Sequence, residues 1–298
     1  MNSILGSKLY CWQQKAKQEA IANNIDPNDV DWLLQTVTDL SSLSLRIGTF
    51  KNRAKISSNK SLSELSRLWQ RRLQERSPVQ YLVETAFWRR FQLRVTPAVL
   101  IPRPETELIV DIALEAIQNS SFSIEQSGHW VDLGTGSGAI ALGLADSLPQ
   151  ATIHAVDCSL EALNIARENA IALGLNNHIC FYHGSWWDKL TSFRDKINGM
   201  ISNPPYIPTI EIEKLLPEVA KHEPNSALDG GADGLDDIRY LVASAPKYLV
   251  SGGIWLIEIM LGQSDIVVEL LNRQGEYYDI KVFPDLNGIA RFVLAYRR

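Results

Sequence analysis

Cysteine is scarce in this sequence: Cys11, Cys158 and Cys180 are odd in number and form no C-x-x-C pair. Such usage excludes a disulfide-stapled scaffold and a thiolate metal site. It suits a reducing compartment, so the expected location is the cytoplasm. Cys158 is expected to be a small buried hydrophobe. Long apolar runs are lacking too. The longest, residues 139–145, is interrupted by Gly143 and falls far short of the ~20 residues a membrane helix needs. Residues 1–17 mix Asn, Ser, Lys and Gln among apolar positions and offer no continuous signal-peptide core. Histidine is sparse, and no His or Cys cluster has the spacing of a metal site. His178 and His183, in or beside a strand pattern, read as structural. With 45% hydrophobic, 21% charged and 8% aromatic residues, disorder, collagen-like repetition and coiled coil are excluded for the whole chain.

What is present is enough chain for two domains, since 298 residues compare with roughly 150 per domain. The net charge of −5 is unevenly spread. Residues 1–80 carry 12 Lys/Arg against 7 Asp/Glu, and the remainder 17 against 27. Residues 46–76 alone hold nine basic and two acidic residues. That run is either a solvated face or an electrostatic footprint for an acidic or RNA-bearing partner. The acidic remainder excludes a clamp on duplex DNA along its whole length.

Residues 1–77 read as a small helical domain. Ser61 and Glu64 have capping-box spacing before Leu62, Leu65, Leu68, Trp69 and Leu73, and Val30, Leu33, Leu34, Val37 and Leu40 form an earlier stripe. Pro78 closes this region. Alternation over 87–95 and 99–101 predicts a β linker across 78–104, followed by a helix from about Glu105. From His129 the rhythm becomes strand, glycine turn, helix, strand. Strands are predicted at 130–133, 151–156, 179–183, 197–202 and 253–259, with a helix at 235–249 and a terminal hairpin of 277–283 and 290–296. Alternating βα units imply a mostly parallel sheet with helices on both faces, here ending in an antiparallel pair. Residues 105–298 are the expected extent of this α/β domain.

Two motifs carry the chemistry. Gly134, Thr135, Gly136, Ser137 and Gly138 form a turn where backbone can approach a ligand and a helix N-terminus offers free N–H groups. Asp157, closing the next strand, can accept hydrogen bonds from a ribose diol, so the pair points to a nucleoside-containing cofactor. Gly134-x-Gly136-x-x-Ala139 also satisfies the loose dinucleotide pattern, but no hydride-transfer acid–base pair lies near it. The second motif is Asn203-Pro204-Pro205-Tyr206 after the fourth strand. Two prolines stiffen the backbone and cannot donate hydrogen bonds. Their carbonyls and the Asn203 carboxamide are acceptors beside a flat aromatic wall, which suits a planar NH2 group.

This combination resembles the class I S-adenosylmethionine-dependent methyltransferases that act on amide or exocyclic amino nitrogens. Residues 78–82, Phe87-Trp88 and Ile101-Pro102-Arg103-Pro104-Glu105-Thr106-Glu107 are more specifically similar to the release-factor glutamine methyltransferases. So are Glu223-Pro224, Ala227-Leu228, Gly230-Gly231 and Asp233-Gly234-Leu235. The resemblance implies a Rossmann-like domain with a mostly parallel seven-stranded sheet and an antiparallel terminal strand, preceded by a helical substrate-binding domain. It implies S-adenosyl-L-methionine as cofactor and the glutamine of the Gly-Gly-Gln tip of class I peptide chain release factors as methyl acceptor. By the same resemblance Gly134, Thr135, Gly136, Ser137 and Gly138 form the cofactor turn, Asp157 is the ribose ligand, and Trp186 stands beside the adenine. Asn203 touches cofactor and substrate, and Asn203, Pro204, Pro205 and Tyr206 form the substrate-amide site, with Asn203, Pro204 and Tyr206 catalytic. No membrane association and no stable nucleic-acid binding are expected. The alternative is a nucleic-acid amino-methyltransferase using the same tetrapeptide on a flipped adenine or cytosine; a non-catalytic docking module is a third reading. Three positions depart from the family pattern: Ser185 stands where many relatives have Asp, and Glu84 and Met260 where they have Gly.

Overall fold

The computed structural model describes residues 2–119 and 127–298. The chain divides into two compact units, Met1–Thr85 with Leu216–His222, and Ala86–Leu215 with Glu223–Arg298.

The first unit is mainly helical, with helices Gly6–Ala22, Asn28–Val37, Ser42–Ile47, Leu62–Glu75 and Val79–Leu82. The capping box forms as its spacing predicts. Ser61 Oγ accepts from Glu64 N–H at 3.3 Å, and Glu64 accepts from Ser61 N–H at 2.7 Å. Leu65 and Trp69 from that helix and Val30, Leu33, Leu34 and Val37 from the earlier stripe share one core. An all-helical reading misses one feature, the antiparallel pair of Asn2–Ile4 with Ile56–Ser58. Three residues are too few to display a two-residue period. Pro78 does not end helical structure either, because one more turn follows it at Val79–Leu82. The basic run is partly used internally. Arg72, buried, meets Asp29 at 2.8 Å and Glu218 at 2.7 Å, and Arg76 also reaches Glu218 at 2.8 Å. These ion pairs seat Leu216–His222 in this unit.

The second unit is built on seven strands, labelled β1 (His129–Leu133), β2 (Thr152–Asp157), β3 (Ile179–His183), β4 (Ile197–Ser202), β5 (Leu249–Glu258), β6 (Tyr277–Pro284) and β7 (Ala290–Arg297). Their order across the sheet is β6-β7-β5-β4-β1-β2-β3. β7 is antiparallel to both β5 and β6. It therefore lies between them and is the only reversed strand, whereas a simple terminal hairpin would add a pair at the edge. Side chains alternate between two cores. Trp130, Ile201 and Leu256 pack with helices Glu107–Asn119 and Ala139–Ser147; Val131, Met200 and Ile257 pack with helices Asp236–Ser244 and Ser264–Gln274.

Boundaries differ from the sequence pattern where glycine and proline intervene. β5 begins at Leu249, not 253, because Gly252 (φ 77°) and Gly253 lie inside it and shift its register against β4. The helix expected to reach 249 stops at Ser244, and a 3-10 turn containing Pro246 follows. Thr85–Trp88 and Phe91–Arg94 pair in a small sheet of their own. Residues 99–101 are not a strand but irregular backbone. Glu84, which replaces a usual Gly, has a left-handed φ of 51°, whereas Met260 is not among the positive-φ residues and suffers no such conflict.

Candidate active site

β1, β2 and β4 are parallel neighbours in register, with Leu133 opposite both Val156 and Ser202. The loops leaving their C-terminal ends therefore converge on one edge, where ligands of open α/β sheets bind. After β1 the chain turns sharply. Gly134 N–H and Thr135 N–H both donate to the Val156 carbonyl, at 2.9 and 3.0 Å, and Gly138 N–H closes the turn on the Thr135 carbonyl at 2.8 Å. Gly138 has φ 86°, and a Cβ there would stand 3.1 Å from that of Ala166, so glycine is required. Asn169, buried, braces the turn by donating to the Ser137 carbonyl at 2.9 Å and the Arg94 carbonyl at 3.0 Å.

Asp157 ends β2 facing this turn. One carboxylate oxygen accepts Gly136 N–H at 2.8 Å and the other Ser159 N–H at 2.8 Å. Ser159, not Asp157, caps the following helix, accepting from Ala162 N–H at 3.1 Å. Burial raises the Asp157 carboxyl above the ordinary carboxylate range, with the two amide hydrogen bonds opposing it.

A cleft of about 260 Å3 opens along this edge. Gly134, Gly136, Asp157, Trp186, Asn203 and Pro205 line it, as do Val99 and Leu100 from the irregular segment. Thr135, Ser137 and Gly138 lie behind the surface of the turn. Pro204 is buried, and Tyr206 does not line the cleft. Cys158 does, and it is exposed, contrary to the expected buried role, because it lies just past the end of β2. Trp186 is held at φ 48°. For a bulky residue such backbone costs about 1–2 kcal/mol, strain of a kind that persists where a site needs it.

Behind Asn203 lies a buried polar chain that sequence reading missed. Asn203 Nδ2 points at Thr106 Oγ1, 3.4 Å away. The Thr106 hydroxyl donates to Glu258 Oε2 at 2.6 Å, and the Tyr206 hydroxyl donates to Glu258 Oε1 at 3.1 Å. Tyr206 is thus tied down by its hydroxyl. Because Nδ2 is turned to Thr106, the carboxamide oxygen of Asn203 is the atom left for the cleft. Gln263 fixes the backbone, donating to the carbonyls of Tyr206 at 3.0 Å and Gly234 at 3.1 Å. A Cβ on Gly234 would stand 2.3 Å from the Tyr206 carbonyl oxygen. Arg103 pairs with buried Glu223 at 2.8 Å, joining two of the family-like motifs.

Glu258 is fully buried, and burial pushes its carboxyl up to about 7 from an ordinary 4.5, with the hydrogen bonds from Thr106 and Tyr206 opposing. The folded state therefore holds a proton that the unfolded chain releases between those values. Stability from this group is complete below the lower value and is lost as pH rises toward the upper one, at a slope of about 1.4 kcal/mol per pH unit. Urea unfolding across that interval should show a flatter pH dependence in Glu258→Gln than in the unaltered protein; equal slopes would contradict this. Asp132, also missed, sits beneath the turn and is likewise pushed to about 7 by burial. It accepts from the Thr135 hydroxyl at 2.6 Å and Ala141 N–H at 3.0 Å. The signal was its place, an acid inside an apolar strand just before the glycines.

The sheet order, the glycine turn with its facing acid and the diproline edge together define a Rossmann-like class I methyltransferase. Residues 109–223 match the family model described as methyltransferase small domain. A release factor glutamine methyltransferase of Synechocystis sp. is 49% identical over 295 residues, covering 98% of this chain and 97% of that protein. One from Gloeobacter violaceus is 43% identical over 285 residues, with 96% of each covered. The chain belongs to the release factor glutamine methyltransferase family. Among solved structures, the hMettl16 catalytic domain in complex with MAT2A 3'UTR hairpin 6 has a TM-score of 0.56 at 13% identity, covering 89% of this chain and 88% of that one. At that identity the likeness is one of fold alone.

Proposed function

We propose that the protein transfers a methyl group from S-adenosyl-L-methionine to the side-chain amide nitrogen of the glutamine in the Gly-Gly-Gln motif of class I peptide chain release factors. The observation that carries this reading is the Asn203 carboxamide, lining the cleft next to Pro205 with its nitrogen turned to Thr106. An oxygen so placed accepts an N–H. The relatives, as release factor glutamine methyltransferases, supply the acceptor class.

The cleft suits the cofactor. Gly134 and Gly136 present bare backbone to it, Asp157 offers carboxylate oxygens to a ribose diol, and Trp186 supplies a flat apolar surface. When bound, S-adenosyl-L-methionine supplies an electrophilic methyl group on a sulfonium. The chain's task is then positioning. An amide nitrogen is a weak nucleophile because its lone pair is delocalised. We assign the Asn203 oxygen and the Pro204 carbonyl as acceptors of its two N–H groups, which turns that lone pair outward. Tyr206 supports this edge through Glu258; no residue is assigned as a base, and the proton that the nitrogen loses on methylation passes to solvent. Holding two reactants in line is worth about 7–11 kcal/mol of barrier.

We assign the helical first unit to substrate-protein recognition, with the basic residues between 46 and 76 not used internally as its charged face. Lys60 and Arg67 line a shallow cleft there with Glu64, Leu68 and Arg71, the last paired with Glu75 at 3.2 Å. Action on a translation factor fits a cytoplasmic location. No helix of the described residues is long and apolar enough to cross a membrane. Stable nucleic-acid binding is not part of the proposal, because the basic residues cluster in the N-terminal sequence and not among those lining the catalytic cleft.

Mass spectrometry of a release-factor digest after incubation with enzyme and cofactor should show one added methyl on the loop glutamine, and none when that residue is Ala. Methylation of adenine or cytosine in RNA or DNA instead would favour the amino-methyltransferase reading.

A further inference from the structure

Two carboxylates line the cleft, and the reading above uses one. Asp157 faces the glycine turn. The other, Asp237, projects from helix Asp236–Ser244 into the wall that also holds Gly184, Ser185 and Trp186. The Trp186 side chain in the same wall acts on its carboxylate, opposing the effect of burial. Its charge is also felt at Cys158, the residue directly after Asp157. Asp237 thus lines the same cleft as the aromatic surface of Trp186, near the residue that follows the ribose-facing acid. Burial holds its carboxyl above the ordinary range. A single indole N–H leaves acceptor capacity on a carboxylate with two oxygens.

Ser185, in the same wall, is a hydroxyl. A hydroxyl can donate or accept, so it cannot tell an amino group from a carbonyl on a purine ring. A carboxylate can, because it only accepts.

We propose that Asp237 is a specificity residue for the cofactor, accepting an N–H of the exocyclic amino group of adenine. This rests on the cofactor reading given above. Placement in the first turn of a helix gives an acid a second use, favourable alignment with the helix dipole. That use predicts an effect on stability and none on the choice of base.

The test is calorimetric binding of S-adenosylhomocysteine and S-inosylhomocysteine, which carries an oxo group in place of the amine, to the full chain and to Asp237→Asn. The unaltered protein should prefer the adenine compound by at least about tenfold, because a site built to accept an N–H rejects an analogue that lacks it. In Asp237→Asn the preference should shrink to about threefold or less, since a carboxamide can donate to the oxo group. Adding Ser185→Asp to that variant should restore it. An unchanged preference in Asp237→Asn, or equal weakening of both compounds, would overturn the proposal. Binding of neither compound by the unaltered protein would instead remove the cofactor reading on which it stands.

Discussion

Asn203→Ala is expected to lower kcat on a release-factor substrate by about a thousandfold while changing cofactor affinity by no more than about threefold. Two losses combine. The acceptor for one amide N–H disappears, leaving a donor unpaired in a closed site at a cost of about 1–3 kcal/mol. The second acceptor alone cannot fix the plane of the amide, and misplacement of a reacting group by about 1 Å can cost a hundredfold. Affinity for the cofactor should hold, because the turn and Asp157 are made by β1 and β2 and keep their own hydrogen bonds. Single-turnover rates and product-nucleoside titration separate the two quantities. A variant that turns over normally would show that Asn203 is not the acceptor.

Asp157→Ala should do the reverse, weakening cofactor binding by about 100-fold or more, since hydrogen bonds to a charged acceptor contribute about 1.5–3 kcal/mol each and a diol makes two. Gly136 N–H also loses the oxygen that holds it, so the turn itself loosens. At saturating cofactor much of the rate should return, because Asn203 and Thr106 are untouched. An unchanged dissociation constant would remove Asp157 from the site. The opposite responses of these two variants distinguish an acid that holds the cofactor from a carboxamide that aims the acceptor.

How far the sequence led can be traced element by element. β3 and β4 stand where their patterns put them, Ile179–His183 and Ile197–Ser202, because a short apolar run bounded by polar turns suits a strand inside a sheet. The start of β5 was hidden by Gly252 and Gly253, which interrupt the run. The position of β7 between β5 and β6 could not be read from local pattern, since strand order is decided by which edge closes the core. The turn, Asp157 and the diproline edge were legible because each is contiguous in sequence. Thr106 and Glu258 were not. They lie 152 residues apart, and nothing in either neighbourhood marks a buried hydrogen bond between them. Asp237 was passed over for a similar reason, as one of several acids near a helix start, where an acid needs no further explanation.

The passage of Leu216–His222 through the first unit bears on how the protein is made. Arg72 and Arg76 wait for Glu218, which the ribosome supplies only after four strands of the large sheet and the diproline edge have emerged. The amino-terminal portion therefore cannot mature as soon as its own stretch of chain is synthesised. Completion of the helical unit is coupled to synthesis of the sheet domain, and a nascent polypeptide halted before Leu216 would carry that unit unfinished.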